Sequence, residues 1–416
     1  MSCDLSQRLL DLQDRDADIA LLQQALGCES VTGNEANFAP FLMSQMGELG
    51  LAPKRADFLP GRPNVWGRKP GSGDGPTLMF AGHTDTVHVR GWSEKWAGTV
   101  KEDPFAAPLI NGEIWGRGAC DLKGGICASL AAMRLLERAG VTLRGDVTYA
   151  FIGDEESGES GTGVSAGAAD LVTRIQSGEI TTPDFAVYVE PTCLDVYTAQ
   201  IGFFIADVKI TGTSAYFGTP EKGVDALRAT HALLAAIWRH QEELALGPKH
   251  DLVGTSNILV TEIKGGGYIA VPGECELSLI RKLRPGEDLD TAVAAFEAVI
   301  DAVAVEDGIK IRISYPAGRD HPYGGSPVEI APDHGDALSL GRCIQDTHKA
   351  RGEIAGAPYW SETPFLVNQI GCPAVYCAPG DISVAHTFEE RINVEEYLAA
   401  IRAYALFMTR YCGTNE

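Results

Sequence analysis

Two histidines and several carboxylates recur in this sequence at the ends of short apolar runs. They are His83 and Asp85 in AGHTDTV, Asp121 in GRGACDLKGG, the adjacent Glu155 and Glu156 in GDEE, Glu190 in VEPT, and His386 in GDISVAHTFEE. Imidazole nitrogens and carboxylate oxygens are ligands for a divalent cation such as zinc, manganese or cobalt, and His83, Asp121, Glu156, Glu190 and His386 would hold one or two of them. A bridging carboxylate suits two cations about 3.5–4 Å apart, which together clamp a nucleophile and a developing oxyanion. The neighbouring glutamates divide the labour: Glu156 ligates, and Glu155 is the general base that takes a proton from metal-activated water. Asp85, two residues from His83, is placed to hydrogen-bond the second ring nitrogen and fix its tautomer. Taken singly, a His-x-Asp is more often a capping element and an Asp-Glu-Glu run a solvated face. Five such clusters in order, each at a strand end, point to a metal centre.

The elements that must position these residues follow from the apolar pattern. TLMFAGHTDTV, DVTYAFIGDEE, FAVYVEPT and PAVYCAPG are continuous apolar runs ending in polar or acidic residues, and GGICASLAAMRLLERAG between the first two is an amphipathic helix closed by Gly140. Strand, helix, strand with unbroken apolar runs predicts a buried, mostly parallel α/β sheet, in which ligands gather at the carboxyl ends of strands. Upstream, Asp18 to Leu49 has helical spacing with a break near SVTGNE. From residue 196 to about 316 the texture changes to strand, helix, strand, strand, helix, strand, a ferredoxin-like α+β unit. The expected fold is therefore α/β: a catalytic domain formed by residues 1–195 and 317–416, with a mostly parallel mixed sheet, and an inserted ferredoxin-like lid at 196–316.

Bulk composition bounds the partners. The chain has 416 residues and 34 Lys plus Arg against 56 Asp plus Glu, a net charge of −22, which would repel phosphate backbones and anionic membranes. A small-molecule substrate is expected, with no nucleic acid and no membrane. The first thirty residues lack the pattern of a secretory signal and no apolar run reaches the length of a membrane span, so a cytoplasmic location is expected. The ten cysteines are accordingly read as free thiols, with no Cys-x-x-Cys pair among them. Cys120, beside Asp121, reads as a packing residue, and His231, His240 and His250 as surface residues.

Taken together, these motifs resemble the metallopeptidase group that includes aminoacylases, acetylornithine deacetylase, succinyl-diaminopimelate desuccinylase and glutamate carboxypeptidase. The resemblance runs from CESVTGNE to AHTFEE, nearly the whole chain. It implies that Asp121 bridges two metals, with His83 and Glu190 completing one site and Glu156 and His386 the other. It also implies a lid that forms a homodimer or higher homo-oligomer. Many members carry a lid histidine in a stretch like GTSAYFGTPEKGVDA, which stabilises the oxyanion of the tetrahedral intermediate; here Tyr216 stands at that position. A phenol can donate to an oxyanion but cannot act as an imidazolium. Relatives commonly place an asparagine where GGGYIAVPGE has Tyr268, and Arg281 in LIRKLRPGE matches a lid-strand arginine able to bind a substrate carboxylate.

The expected activity is metal-dependent hydrolysis of an amide C–N bond in a small carboxylate-bearing substrate, an N-acyl amino acid or dipeptide. The alternative is hydrolytic deamination of an aromatic amine, as in the family's nitroanthranilate aminohydrolase offshoot, for which Tyr216 and Tyr268 suit stacking. A non-catalytic binding protein would have lost one or more ligands.

Overall fold

The computed structural model describes residues 2–157 and 161–415, and the chain divides into two compact units. The first comprises residues 2–157, 161–198, 330–356 and 365–415; the second comprises 199–329 and 357–364.

The first unit is built on a mixed sheet. Its four central strands, Gly145–Ile152, Gly75–His83, Phe185–Tyr188 and Ala374–Tyr376, lie side by side in that order and are mutually parallel. They are parallel because each is an apolar run that a helix must cover on the way to the next; Leu78, Met79, Phe80 and Ala81 are all fully buried. Phe80 fills the core between Tyr149 and Tyr404, with ring centroids 5.7 and 5.2 Å away. Truncating such a ring to alanine typically costs about 3–5 kcal/mol. The helices Gly124–Arg138 and Val394–Cys412 present long buried apolar faces to this core.

Beyond the parallel centre, Arg62–Lys69 pairs antiparallel with Gly145–Ile152, and Lys54–Leu59 antiparallel with Arg62–Lys69. Neither was marked by an apolar run in the sequence: Lys54–Leu59 is a largely exposed edge rich in charge, and Arg62–Lys69, though buried over its first six residues, breaks its apolar positions with Arg62, Asn64 and Gly67. The two helices expected upstream are Arg15–Leu26 and Ala39–Glu48, separated by a short turn at Glu35–Asn37, and a further helix, Ser2–Leu12, precedes them. The nine cysteines whose side chains are described carry no disulfide. Among the described residues, no helix is long and apolar enough to cross a membrane.

The second unit has a five-stranded antiparallel sheet whose four main strands run in the order Asn257–Gly265, Glu274–Leu283, Gly202–Thr211, Lys310–Ser314, with helices Ala226–Ala245 and Leu289–Asp301. Residues of both helices and the strands share one apolar core, including Phe204, Leu233, Leu277 and Phe296. This is the split β-α-β topology of a ferredoxin-like unit. It extends further than the sequence pattern suggested, because after Lys310–Ser314 and an intervening loop the chain resumes pairing along the same strand, with Gly324–Gly325 antiparallel to Phe203 and Phe204. Residues 357–364 join it as well, through Gln200, whose side chain accepts the Thr363 hydroxyl at 3.2 Å and donates to the Ser361 carbonyl at 3.2 Å.

Candidate metal centre

In the first unit the four central parallel strands deliver the clustered residues. His83 is the last residue of Gly75–His83, Glu155 and Glu156 follow Gly145–Ile152, Glu190 follows Phe185–Tyr188, and His386 lies in the segment after Ala374–Tyr376. Asp121 comes from a bend, residues 119–123, that opens the helix Gly124–Arg138; the peptide after it is cis. That helix reaches its place because of a glycine: a Cβ on Gly125 would lie 2.3 Å from the carbonyl oxygen of Val189, the neighbour of Glu190.

Asp121 stands at the centre. Its Oδ1 is 3.1 Å from His83 Nε2, and its Oδ2 is 3.1 Å from His386 Nε2. Glu190 Oε1 is 3.5 Å from His83 Nε2, and Glu156 Oε1 is 2.9 Å from His386 Nε2. One ligand atom each from His83, Asp121 and Glu156 fall within 4.8 Å of one another. Four of the five side chains are no more than 6% exposed, whereas His386 keeps 55% of its surface and sits at φ 61°, a left-handed backbone region uncommon for non-glycine residues though histidine enters it more readily than most.

The electrostatics match that packing. Burial alone would lower the His83 pKa, but the charge of Glu190 and the bond to Asp121 outweigh it and raise it well above the usual value. His386, against the same burial effect, is raised to about 11 by Asp121 and Glu156. Burial, then the Asp121 charge, push Glu156 up to about 7. Burial acts to raise Asp121 too, yet its bonds to the two imidazoles hold it below the ordinary carboxylate range. The groups thus hold protons between them in a small volume. Once those protons leave, the same atoms offer imidazole nitrogens and carboxylate oxygens to one place, a donor set that fits one or two divalent cations.

Asp85 does not act as its spacing suggested. The His83 Nδ1 bond, 2.9 Å, is to the Asp85 main-chain carbonyl, and the Asp85 carboxylate is 3.8 Å away. That carboxylate accepts instead the N–H of Glu156 at 3.0 Å, the N–H of Glu155 at 3.3 Å and the Thr32 hydroxyl at 3.1 Å. The reason is geometric: the strand ends at His83, so the next residues turn under the ring and leave the aspartate side chain facing the Glu155–Glu156 turn. Asp85 therefore holds His83 by its backbone and the glutamate pair by its side chain. Glu155 is half-buried at that turn.

The sequence reading missed Glu390. It is fully buried, and its Oε1 accepts the N–H groups of Gly118, Cys120 and Asp121 at 2.9, 3.2 and 3.1 Å, while its Oε2 is paired with Arg117. The sequence marks only its nearness to His386, the second acid of HTFEE sitting four residues on, and nothing local shows what it binds. Lys123, also missed, is buried and donates to the carbonyls of Ala25, 3.2 Å, and Cys28, 2.5 Å, tying the Asp121 bend to the end of the helix Arg15–Leu26.

The three residues expected to bind substrate all lie in the second unit. Tyr216 is 60% exposed, its ring centroid 4.6 Å from that of Phe217, and its backbone bridges Ala270. Tyr268 is fully exposed. Arg281 is a correction: it is buried, with Nη2 2.7 Å from Glu287 Oε1, and that carboxylate also accepts the N–H of Arg284 at 2.8 Å. A guanidinium neutralised inside the sheet braces the strand Glu274–Leu283 rather than offering a fork to substrate. His250 likewise is not a free surface residue, since its Nε2 is 2.9 Å from Glu329.

Comparison with known proteins agrees with this architecture. The chain is similar to N-formyl-4-amino-5-aminomethyl-2-methylpyrimidine deformylase of Bacillus subtilis, 26% identical over 413 residues that cover 92% of this chain and 91% of the relative. Among solved structures it is similar to a dipeptidase of Saccharomyces cerevisiae, with a TM-score of 0.74, 13% identity and coverage of 99% of this chain and 98% of the other. It is also similar to a dinuclear metal-binding peptidase of Bacillus subtilis, with a TM-score of 0.63, 13% identity and coverage of 96% and 99%. The sequence model described as peptidase family M20/M25/M40 matches residues 79–410, from the strand that ends in His83 through the helix after His386, and the chain belongs to that family of metal-dependent hydrolases.

Proposed function

We propose that the chain hydrolyses the amide C–N bond of a small carboxylate-bearing molecule, an N-acyl amino acid or a dipeptide. The observation that carries this reading is the placement of the Glu155–Glu156 pair beside two imidazoles that share the two oxygens of Asp121. An aspartate that turns one oxygen to each histidine suits a shared ligand, with His83 and Glu190 on one side and Glu156 and His386 on the other. Zinc, manganese or cobalt would fit the mixed nitrogen and oxygen set. The cation, when bound, supplies Lewis acidity at the amide oxygen and lowers the pKa of water.

The rest falls to the chain. Glu155, free of the ligand role taken by its neighbour, accepts a proton from the attacking water and delivers it to the departing amine nitrogen, so that a C–O bond forms as the C–N bond breaks. Asp85 holds both glutamates by their N–H groups and so fixes the base relative to the ligands. The similarity to a deformylase supports a small acyl group, an N-formyl amine being the smallest amide.

Exposed aromatic rings at Tyr216, Phe217 and Tyr268 favour a second reading, an aromatic substrate whose amine is released by hydrolysis. The test is a panel of N-formyl and N-acetyl amino acids, dipeptides and aminobenzoates, assayed with added manganese or zinc. Amide cleavage that a chelator abolishes is the expected result; ammonia released from an aminobenzoate with no amide cleaved would replace the first reading with the second. Glu155→Gln should lower turnover at least about 100-fold while bound metal stays near wild type, the size of a lost general base.

We infer further that the second unit carries a homodimer contact. Asn257–Gly265 is the edge of its sheet, and Leu259 and Ile263 on it and Trp238 on the adjacent helix are 60%, 48% and 51% exposed. An uncovered edge strand with exposed apolar side chains is a template for pairing with another copy.

A further inference from the structure

Arg62, the first residue of Arg62–Lys69, is outside the ligand cluster, yet its charge is spent on the loop that carries the base. The guanidinium is 10% exposed and spans two fully buried carboxylates: Nε lies 3.0 Å from Glu35 Oε2, and Nη2 lies 2.7 Å from Asp154 Oδ1. The ring of Phe58 lies 5.2 Å from the guanidinium carbon. Asp154 directly precedes Glu155 and stands at φ 75°. Its carboxylate accepts the N–H groups of Gly163, Val164 and Ala166 at 3.0, 3.2 and 3.2 Å, and its carbonyl accepts that of Ser165 at 3.0 Å. On the other side of the turn, Asp85 accepts the N–H groups of Glu155 and Glu156.

The Glu155–Glu156 turn is therefore held from both sides by aspartates, and one of these is held by Arg62. Without the arginine, Glu35 and Asp154 are two buried anions facing each other, and Asp154 has reason to leave. A planar guanidinium can serve both carboxylates at once, whereas an ammonium is a single point charge on a flexible stem. We propose that the Glu35–Arg62–Asp154 triad is a positioning device for the Glu155 carboxylate, so that turnover depends on Arg62 although it touches neither substrate nor cation. The inference rests on Glu155 as the general base.

The test uses the full-length, metal-loaded protein and the amide it cleaves best from the panel above. Displacing a reacting group by 1 Å costs about 100-fold, so Arg62→Lys should lower kcat by about that factor while KM and metal content stay within about threefold of wild type. Arg62→Ala should fall at least as far and regain part of its kcat on addition of guanidinium ion at non-denaturing concentration, a response that general loosening of the fold would not give. If Arg62→Ala does not fold, Asp154→Asn, which keeps shape and removes the charge that Arg62 grips, supplies the same split between kcat and KM. A folded Arg62→Lys protein with kcat within about threefold of wild type, or one whose lost activity tracks lost metal, overturns the inference. An active wild type whose folded, metal-loaded Glu155→Gln variant keeps turnover within about tenfold overturns the reading of Glu155, and this inference with it; a Glu155→Gln variant that loses turnover beside unimpaired Arg62 variants overturns this inference alone.

Discussion

Glu390 shows how much of a metal centre can rest on a residue that ligates nothing. One oxygen gathers three main-chain N–H groups of the Asp121 bend and the other neutralises Arg117, which also donates to the Thr387 carbonyl at 3.3 Å, next to His386. The bend and the histidine segment are thus tied together through one buried ion pair. Glu390→Gln keeps one acceptor but leaves Arg117 an uncompensated buried charge, a change that costs about 3–5 kcal/mol when such pairs are broken. The expected outcome is a lower melting temperature together with metal affinity weakened by about 10–100-fold, read by chelator competition. Unchanged affinity in a folded variant would mean that Asp121 is held by the rest of its bend. His83, Glu156 and Glu190 were legible in the sequence because each ends an apolar run; Glu390 was not, because its contacts are to backbone groups some 270 residues away.

At the level of elements, helix starts are written locally. Asp14, Asp225 and Asp288 precede the helices Arg15–Leu26, Ala226–Ala245 and Leu289–Asp301, and each caps its helix through its side chain. Asp225 accepts the N–H groups of Leu227 and Arg228 at 2.9 and 3.1 Å, so Asp225→Ala should destabilise the second unit by about 1 kcal/mol, measurable by denaturant titration. Asp18, inside Arg15–Leu26, is different. Burial raises its pKa from 3.8 to about 6, against the hydrogen bond from Gln13 and the charges of Arg138 and Arg134. Between those values the folded chain keeps a proton that the unfolded chain has released. The stabilising contribution is therefore full below pH 3.8 and lost as pH rises through about 6, leaving the buried charge as a penalty at higher pH. Asp18→Asn should raise the melting temperature at pH 8 and change it little at pH 3.5. The gain is at most about 3 kcal/mol, since one pKa unit is worth about 1.4 kcal/mol. A gain that is equal at both pH values would exclude the titration of Asp18 as its source.

For the whole molecule, the inferred homodimer makes the sharpest prediction. Leu259→Lys together with Ile263→Lys places charge on an already exposed edge, so folding should be unaffected while the protein shifts from dimer to monomer in light scattering. A protein that is monomeric without these changes, or a dimer that tolerates them, would exclude this edge as the contact. The division of the chain was only partly legible. The repeating strand and helix pattern marked the inserted unit, but its end fell after Lys310–Ser314, where the pattern stops, rather than after the resumed pairing of Gly324–Gly325 with residues 203 and 204. Pairing across more than a hundred residues leaves no periodicity to read.

What the sequence by itself determined is the order of elements in the parallel core and the donor types at their ends, because burial on both faces demands unbroken apolar runs and a turn into solvent exposes whatever follows them. Only the tertiary structure decided which atoms face one another. It turned the Asp85 side chain away from His83 toward the glutamate turn, spent Arg281 on Glu287, and brought Glu390 and Arg62 to loops far from them in the chain. The physical reason is the same in each case. A buried charge must find its partner wherever the fold brings one within about 3 Å, and that distance is set by packing, not by spacing along the chain.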